Sequence, residues 1–313
     1  MQGLELSRAF YNEFGKPMLD SEFSHLKPYI CTGLFGAGSE CLGFDDDISS
    51  DHDFEPGFCI FLPGEDIVSR RDEFLLERAY SKLPKEFLGY KRGGISPVGG
   101  VRHGVFRTEE FFKNKSGSSD GILTIEEWFK MTDQSLLECT NGEIYSDLYG
   151  EVSKIRENLS YYPSDIMKKK LSSNLLVMAQ AGQYNYMRTI SHGEYDAAQL
   201  ACFEFVKAAL QVIFILNRKY MPYYKWAFKA LNNLDILFYV SPQLSHLINT
   251  DNSKENIDEK YALIESISSD VISELIDQNL TKANCGDLEK HAYSVNDGIE
   301  DADIRNMHIM SGI

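Results

Sequence analysis

The sequence predicts an α+β fold, a small mixed-sheet domain over residues 1–163 followed by an all-helical bundle over residues 164–313. Three observations predict it. Short apolar, β-prone runs separated by turns rich in Gly, Ser and Asp fill the first half. From Ser164 onward glycines thin out and apolar residues recur at helical spacing. At 313 residues the chain also exceeds the ~100 to 200 residues of a typical single domain, which favours two packed units. With 43% hydrophobic and 25% charged residues, and 19 Phe beside 17 Tyr, core material is ample and global disorder is excluded.

Along the chain, Leu6, Ala9, Phe10 and Phe14 mark a leading helix over Leu4 to Phe14, with Gly15-Lys16-Pro17 expected to stop it. Tyr29 to Phe35 reads as a strand that ends in the Gly36-Ala-Gly-Ser39 turn. Asp53 to Leu62 reads as a second strand before Pro63-Gly64. Ile67, Phe74, Leu75, Ala79 and Leu83 punctuate the charged stretch Glu65 to Leu83. The glycine-rich run Gly93 to Gly100 leads to a third strand, Val101 to Arg107. Thr108 and Thr124 each place a capping hydroxyl before acids, which suits short helices, with Ser116-Gly-Ser-Ser as a loop between them. Glu143 to Asp147 is the last strand expected in this half. In the second half, helices are expected over Asp165–Arg188, Tyr195–Arg218, Pro222–Leu234, Asn256–Gln278 and Asp287–Met310, with Ser241–Lys254 as a polar linker.

Composition narrows the function classes. Lys and Arg total 31 against 47 Asp and Glu, a formal charge of −16 that repels a phosphate backbone and an anionic membrane surface. The six cysteines, at 31, 41, 59, 139, 202 and 285, show no C-x-x-C pair, so neither a zinc knuckle nor a disulfide framework is expected, and a reducing cytosol is the natural compartment. The N-terminus lacks the basic-then-apolar run of a signal peptide. The longest apolar stretch, Ala208 to Leu216, falls short of the ~20 residues of a membrane span and reads as a buried helix.

The informative stretch runs from Gly36 to Phe54. If Asp51 opens a strand, alternation places Asp51 and Asp53 on one face and His52 on the other. Two adjacent carboxylates repel unless a cation sits between them, and hard oxygen ligands of this kind suit Mg²⁺, which completes its shell with water and substrate phosphates. Upstream, Gly38 lets backbone N–H groups approach phosphate oxygens closely and the Ser39 hydroxyl adds a donor. Asp45-Asp46-Asp47 reads instead as a solvated turn. In the second half, Lys225 stands among Tyr223, Tyr224 and Trp226. That cluster either packs the bundle or brings a cation to a triphosphate, with Tyr220 or Tyr223 stacked on the base.

A Gly-Ser turn followed about a dozen residues later by Ser-Asp-x-Asp and an apolar residue, here Gly38, Ser39, Ser50, Asp51, Asp53 and Phe54, resembles the signature of the DNA polymerase β nucleotidyltransferase superfamily. The longer string from Gly38 to Phe54 also resembles a family of bacterial nucleotidyltransferase-like proteins. Gly182 to Arg188, Asp196 to Ala198 and Leu216 to Trp226 are similar to the helical half of that family, so the resemblance spans about Tyr29 to Ile304. It implies metal-dependent nucleotidyl transfer with Mg²⁺ or Mn²⁺ and a nucleoside triphosphate, ATP first, most like the branch that modifies aminoglycoside or lincosamide antibiotics.

The superfamily adds a third carboxylate from a neighbouring strand, where Val101 to Phe106 offers His103 and no acid. His103, Glu109, Glu143 and Asp147 are the candidates for that place or for the general base, with Asp147 ranked first. The expected acceptor is a small molecule, not long nucleic acid, and the alternative is a nucleotide-binding or regulatory protein that keeps the fold without full catalytic strength. The oligomeric state is not legible from these residues.

Overall fold

The computed structural model describes residues 1–46, 55–92 and 102–313, and the chain is α+β. It divides into two compact units, Met1–Glu127 with Met131–Ser160, and Trp128–Lys130 with Tyr161–Ile313.

In the first unit, α1 (Gly3–Phe10), a π-turn over Tyr11–Gly15 and α2 (Lys16–Glu22) run without interruption. Gly15-Lys16-Pro17 therefore does not stop the leading helix. The wider π-turn immediately precedes Pro17, the second residue of α2, and carries the helix past it. Gly15 serves packing instead, since a Cβ there would overlap the Phe58 ring.

The sheet has the order β5-β2-β1-β6, formed by β1 (Cys31–Leu34), β2 (Cys59–Leu62), β5 (Gly104–Arg107) and β6 (Glu143–Asp147). β1 pairs antiparallel with both β2 and β6, while β2 and β5 are parallel. Every residue of β1 and β2 is buried, as central strands covered on both faces require. On one face Ile60 and Leu62 pack with Leu6 and Phe10 of α1 and with Leu76 of α3 (Arg70–Ser81). On the other, Phe61 stacks on Phe35 with centroids 4.4 Å apart, and Phe111 and Phe112 of α4 (Thr108–Ser116) close over them.

A small hairpin of β3 (Glu86–Phe87) and β4 (Tyr90–Lys91) turns at Leu88-Gly89, both at positive φ. Helices α5 (Ile125–Lys130), α6 (Asp133–Thr140) and α7 (Glu151–Asn158) complete the order. Thr124 makes the expected capping box on α5, whereas α4 begins at Thr108 itself, with Arg107 in the cap position.

The second unit is helical. α8 (Ser164–Met178), a π-segment Ala179–Tyr186 and α9 (Met187–Ser191) form one continuous rod. It packs on α10 (Tyr195–Leu216), with α11 (Tyr224–Leu231) following. By length and composition α10 could cross a membrane, but from Phe205 onward nearly all its apolar side chains are buried in the unit. The stretch expected as a polar linker contains α12 (Ser241–Asn249), because Pro242 suits a first turn and Leu244 and Leu247 bury themselves. After α13 (Ile257–Asp277), the long C-terminal helix expected from the sequence divides into α14 (Leu288–Asp297) and α15 (Ala302–Asn306). The division falls at Gly298, and Asp301 caps α15 by accepting from the N–H groups of Asp303 and Ile304.

Candidate functional site

Strand directions bring one end of the sheet together. Leu34 at the close of β1 faces Glu143 at the start of β6, while Gly33 pairs with Cys59, which in turn pairs with Gly104. The Gly36–Ser39 turn therefore leaves β1 at the end where β2 and β5 begin. Asn141 clasps that turn: its Oδ1 accepts from Gly36 N at 2.9 Å and its Nδ2 donates to Gly36 O at 2.8 Å. Gly142 N adds a bond to Cys41 O at 3.0 Å. Arg156 braces the clasp from behind by donating to the Thr140 and Asn141 carbonyls.

Within the turn Gly38 has φ +126°, a conformation that side chains resist, and a Cβ there would fall onto the Glu40 carboxylate. Ser39 opens a single turn of 3-10 helix, Glu40–Leu42, but its hydroxyl caps nothing. Among the described residues the amides of Gly38 and Ser39 donate to no acceptor. Successive backbone N–H groups without a protein acceptor at a turn can form an anion-binding concavity.

Glu40 is buried beneath this turn, 3.6 Å from the Arg102 guanidinium, and its Oε1 accepts no hydrogen bond. Burial pushes its carboxyl above the ordinary carboxylate range, against the opposing effects of its own backbone N–H and of Arg102. Beside it, His103 Nδ1 lies 3.2 Å from Glu55 Oε1. Neither Glu40 nor Glu55 was singled out by sequence reasoning. Glu40 had a signal, as an acid directly after Gly-Ser with apolar Cys41 and Leu42 behind it. Asn141 had a weaker one, an Asn-Gly pair immediately before a strand.

The residues expected from sequence fall as follows. Gly38 and Ser39 lie at this end of the sheet, as does His103. Asp51 and Asp53, with Ser50, His52 and Phe54, lie outside the described residues, and so does Asp47. Asp45 serves structure: its Oδ2 accepts from Gly3 N at 2.7 Å and anchors the start of α1. Asp147 faces Cys31 at the opposite end of the sheet, four residues along β6 from Glu143, or about 13 Å at a strand's rise. Its carboxylate accepts from Gly150 N at 3.0 Å and Ser153 N at 2.7 Å, which holds the start of α7. Glu143 is at the near end but is bound by Arg8 at 2.6 Å, and Glu109 is exposed on α4. In the second unit Lys225 is exposed, with its Nζ 5.1 Å from the Trp226 ring centroid. Tyr220 is buried against Tyr161 and Tyr162, so it belongs to the core, whereas Tyr223 is exposed.

Among the described residues no group of three or more His, Cys, Asp or Glu side chains is disposed to hold a metal ion. Of the described acids at this end of the sheet, Glu40 is buried against Arg102 and Glu143 is bound by Arg8, so neither is free to serve a metal ion.

A family profile described as a domain of unknown function (DUF4037) matches residues 128–227. No curated protein matches the chain.

Proposed function

We propose that this chain is a metal-dependent nucleotidyltransferase that moves a nucleoside monophosphate from a nucleoside triphosphate, ATP first, to a hydroxyl of a small acceptor. The observation that carries the reading is the Gly38–Ser39 turn. It closes β1 with two amides that donate to no acceptor among the described residues and with a glycine at φ +126°, in a sequence where Ser50-Asp51-x-Asp53 precedes the antiparallel neighbour of β1. Gly38 and Ser39 would hold the leaving phosphates, and Asp51 and Asp53 would hold Mg²⁺ or Mn²⁺. The metal supplies charge neutralisation on the phosphates, the larger part of catalysis in phosphoryl-type transfer. The acceptor oxygen attacks the α-phosphorus in line, its proton leaves to a base, and pyrophosphate departs.

This reading places the protein in the cytosol, consistent with six cysteines all present as free thiols, and assigns it neither long nucleic acid nor a membrane as partner. One observation favours a second reading, a nucleotide-binding or regulatory protein. Asp147, the first-ranked candidate for the third acid, stands at the far end of the sheet, and Glu143 is engaged by Arg8.

Thermal unfolding with each triphosphate and Mg²⁺ tests nucleotide binding. Saturation at ~100 times the dissociation constant adds ~2.7 kcal/mol to stability, and Asp53→Asn should remove most of the shift. A melting temperature that ignores all four triphosphates with either metal would end both readings. A shift without pyrophosphate release across an acceptor panel would leave the binding reading alone.

A further inference from the structure

A cavity of about 510 Å³ opens in the first unit along the outer edge of β5, between α3 and α4, and reaches the Gly36–Ala37 turn. Its size suits a small organic molecule. Its wall is aromatic: Phe106 and Phe111 are part exposed and meet edge-on, with Phe35 buried behind Phe111 at 5.3 Å. Rings fixed this way present their faces without further ordering, which lowers the cost of binding an apolar or cationic body.

The lining's charges decide what that body carries. Each of the three cations already faces a carboxylate. Arg107 binds Glu73 through both Nε and Nη2, Lys115 binds Glu138, and Arg102 lies against Glu40. The acids are not balanced in the same way. Glu77 makes no ion pair or hydrogen bond among the described residues, and Glu110 has only a 3.9 Å contact with Arg70. The uncompensated charge of the cavity is therefore negative and sits on the α3 and α4 rims. Phe111 already carries one ammonium over its face, Lys115 Nζ at 5.5 Å from the centroid, so the ring's geometry admits cations.

We infer that this cavity binds a small organic amine with an aromatic or apolar body, its ammonium directed to Glu77 and Glu110 and its ring laid on Phe106 and Phe111. Binding of the amine follows from the cavity alone. Its service as nucleotidyl acceptor rests on the reading proposed above: the cavity's other end is the Gly36–Ala37 turn, so a hydroxyl remote from the amine would lie toward the phosphate-binding amides.

Tyramine, a phenol with a primary amine, is the probe, with tyrosol and 4-hydroxyphenylacetate as neutral and anionic counterparts. Ligand-observed NMR without nucleotide should show tyramine binding in preference to both and weakening as salt rises. The Glu77→Gln/Glu110→Gln double variant should weaken tyramine by about three- to fivefold, the effect of two solvent-exposed ion pairs, while leaving the ATP–Mg²⁺ thermal shift in place. Phe111→Leu should weaken tyramine and tyrosol together. No tyramine binding at millimolar concentration, equal binding of the three probes, or indifference to the double variant would overturn the inference. If tyramine binds as expected and pyrophosphate is not released with ATP and Mg²⁺, the amine site stands and its role as acceptor site fails.

Discussion

The two units solve the problem of a buried charge in opposite ways. In the sheet unit each is set against a charge of the other sign, Arg107 on Glu73 with two carbonyls completing its fork, and Glu40 against Arg102. In the helical unit Lys169 and Lys260 are wholly buried and held by neutral oxygens alone. Lys260 Nζ donates to Gln199 Oε1, Thr250 O and Asn252 Oδ1, each at 2.8 Å. Lys169 Nζ donates to Asn296 Oδ1 and to the Arg305 and Met307 carbonyls. An ammonium with three fixed acceptors is closed to ligands and works as a pin. Glu40 instead faces a guanidinium at 3.6 Å, beyond hydrogen-bond distance, so its charge is matched without being pinned.

The largest effect should separate the units by pH. Cys31, Cys41, Cys59 and Cys139 are buried around the sheet, and burial pushes their thiols up, to about 12 for both Cys59 and Cys139. A folded pKa above the unfolded value gives stability that is complete below the unfolded pKa and is lost as pH rises through the folded one. From about pH 9 each such thiol should therefore cost the sheet unit about 1 kcal/mol per pH unit. The helical unit has one buried thiol, Cys202, opposed by two lysines whose pKa burial lowers, which by the same linkage gain stability as pH rises. Hydrogen exchange between pH 8 and 11 should show residues 1–160 opening first. Simultaneous opening of both halves would show that the two respond as one.

Next in size is the pin itself. Lys260→Met should destabilise the protein by about 2 kcal/mol, because it takes the donor from Thr250 O and leaves Asn252 Oδ1 and Gln199 Oε1 with one donor each, Tyr186 OH and Asn252 Nδ2. Denaturant unfolding reads this directly, and a loss under 1 kcal/mol would mean the acceptors find other partners. At the other pole, Gly38→Ala forces a Cβ onto the Glu40 carboxylate at φ +126° and should cost about 2 kcal/mol. It should also abolish the ATP–Mg²⁺ thermal shift, which Lys260→Met should spare once measured below its own melting range. Retention of the shift in Gly38→Ala would remove the turn from the nucleotide site.

Sequence reasoning recovered what local pattern determines and missed what partners determine. β1, β5, β6 and α10 stand where apolar alternation or helical period placed them, and the turn after β1 announced itself by its glycines. The stop expected at Gly15-Lys16-Pro17 failed because a π-turn before a proline is a packing solution, set by the Phe58 ring more than 40 residues away. α12 hid within polar residues because only Leu244 and Leu247 pay for it by burial. At the site, Gly38 and Ser39 were legible as a turn, but Glu40 looked like one more surface acid until the fold folded it beneath Gly38. Asp147 has the residue type of a catalytic acid, but its duty at the start of α7 depends on backbone amides that no spacing rule reveals.

The smallest effect tests whether the helical unit shares in the site at all. Lys225 projects from the first turn of α11, exposed, with its Nζ 5.1 Å from the Trp226 ring centroid and Lys229 above the same ring at 5.6 Å. An exposed cation–π contact is worth ~0.5 to 1 kcal/mol, and Lys229 already covers the ring, so Lys225→Ala should change stability by no more than about 0.5 kcal/mol. Lys225 thus differs from Lys169 and Lys260 in being exposed, with a cation–π contact that Lys229 duplicates on the same ring. If that charge meets a triphosphate, Lys225→Ala should raise the ATP–Mg²⁺ dissociation constant several-fold with the fold intact, and Lys225→Arg should restore much of it. Titration calorimetry on the three proteins gives the answer. An unchanged constant in Lys225→Ala returns the residue to the solvated face of α11 and leaves nucleotide binding to the sheet unit.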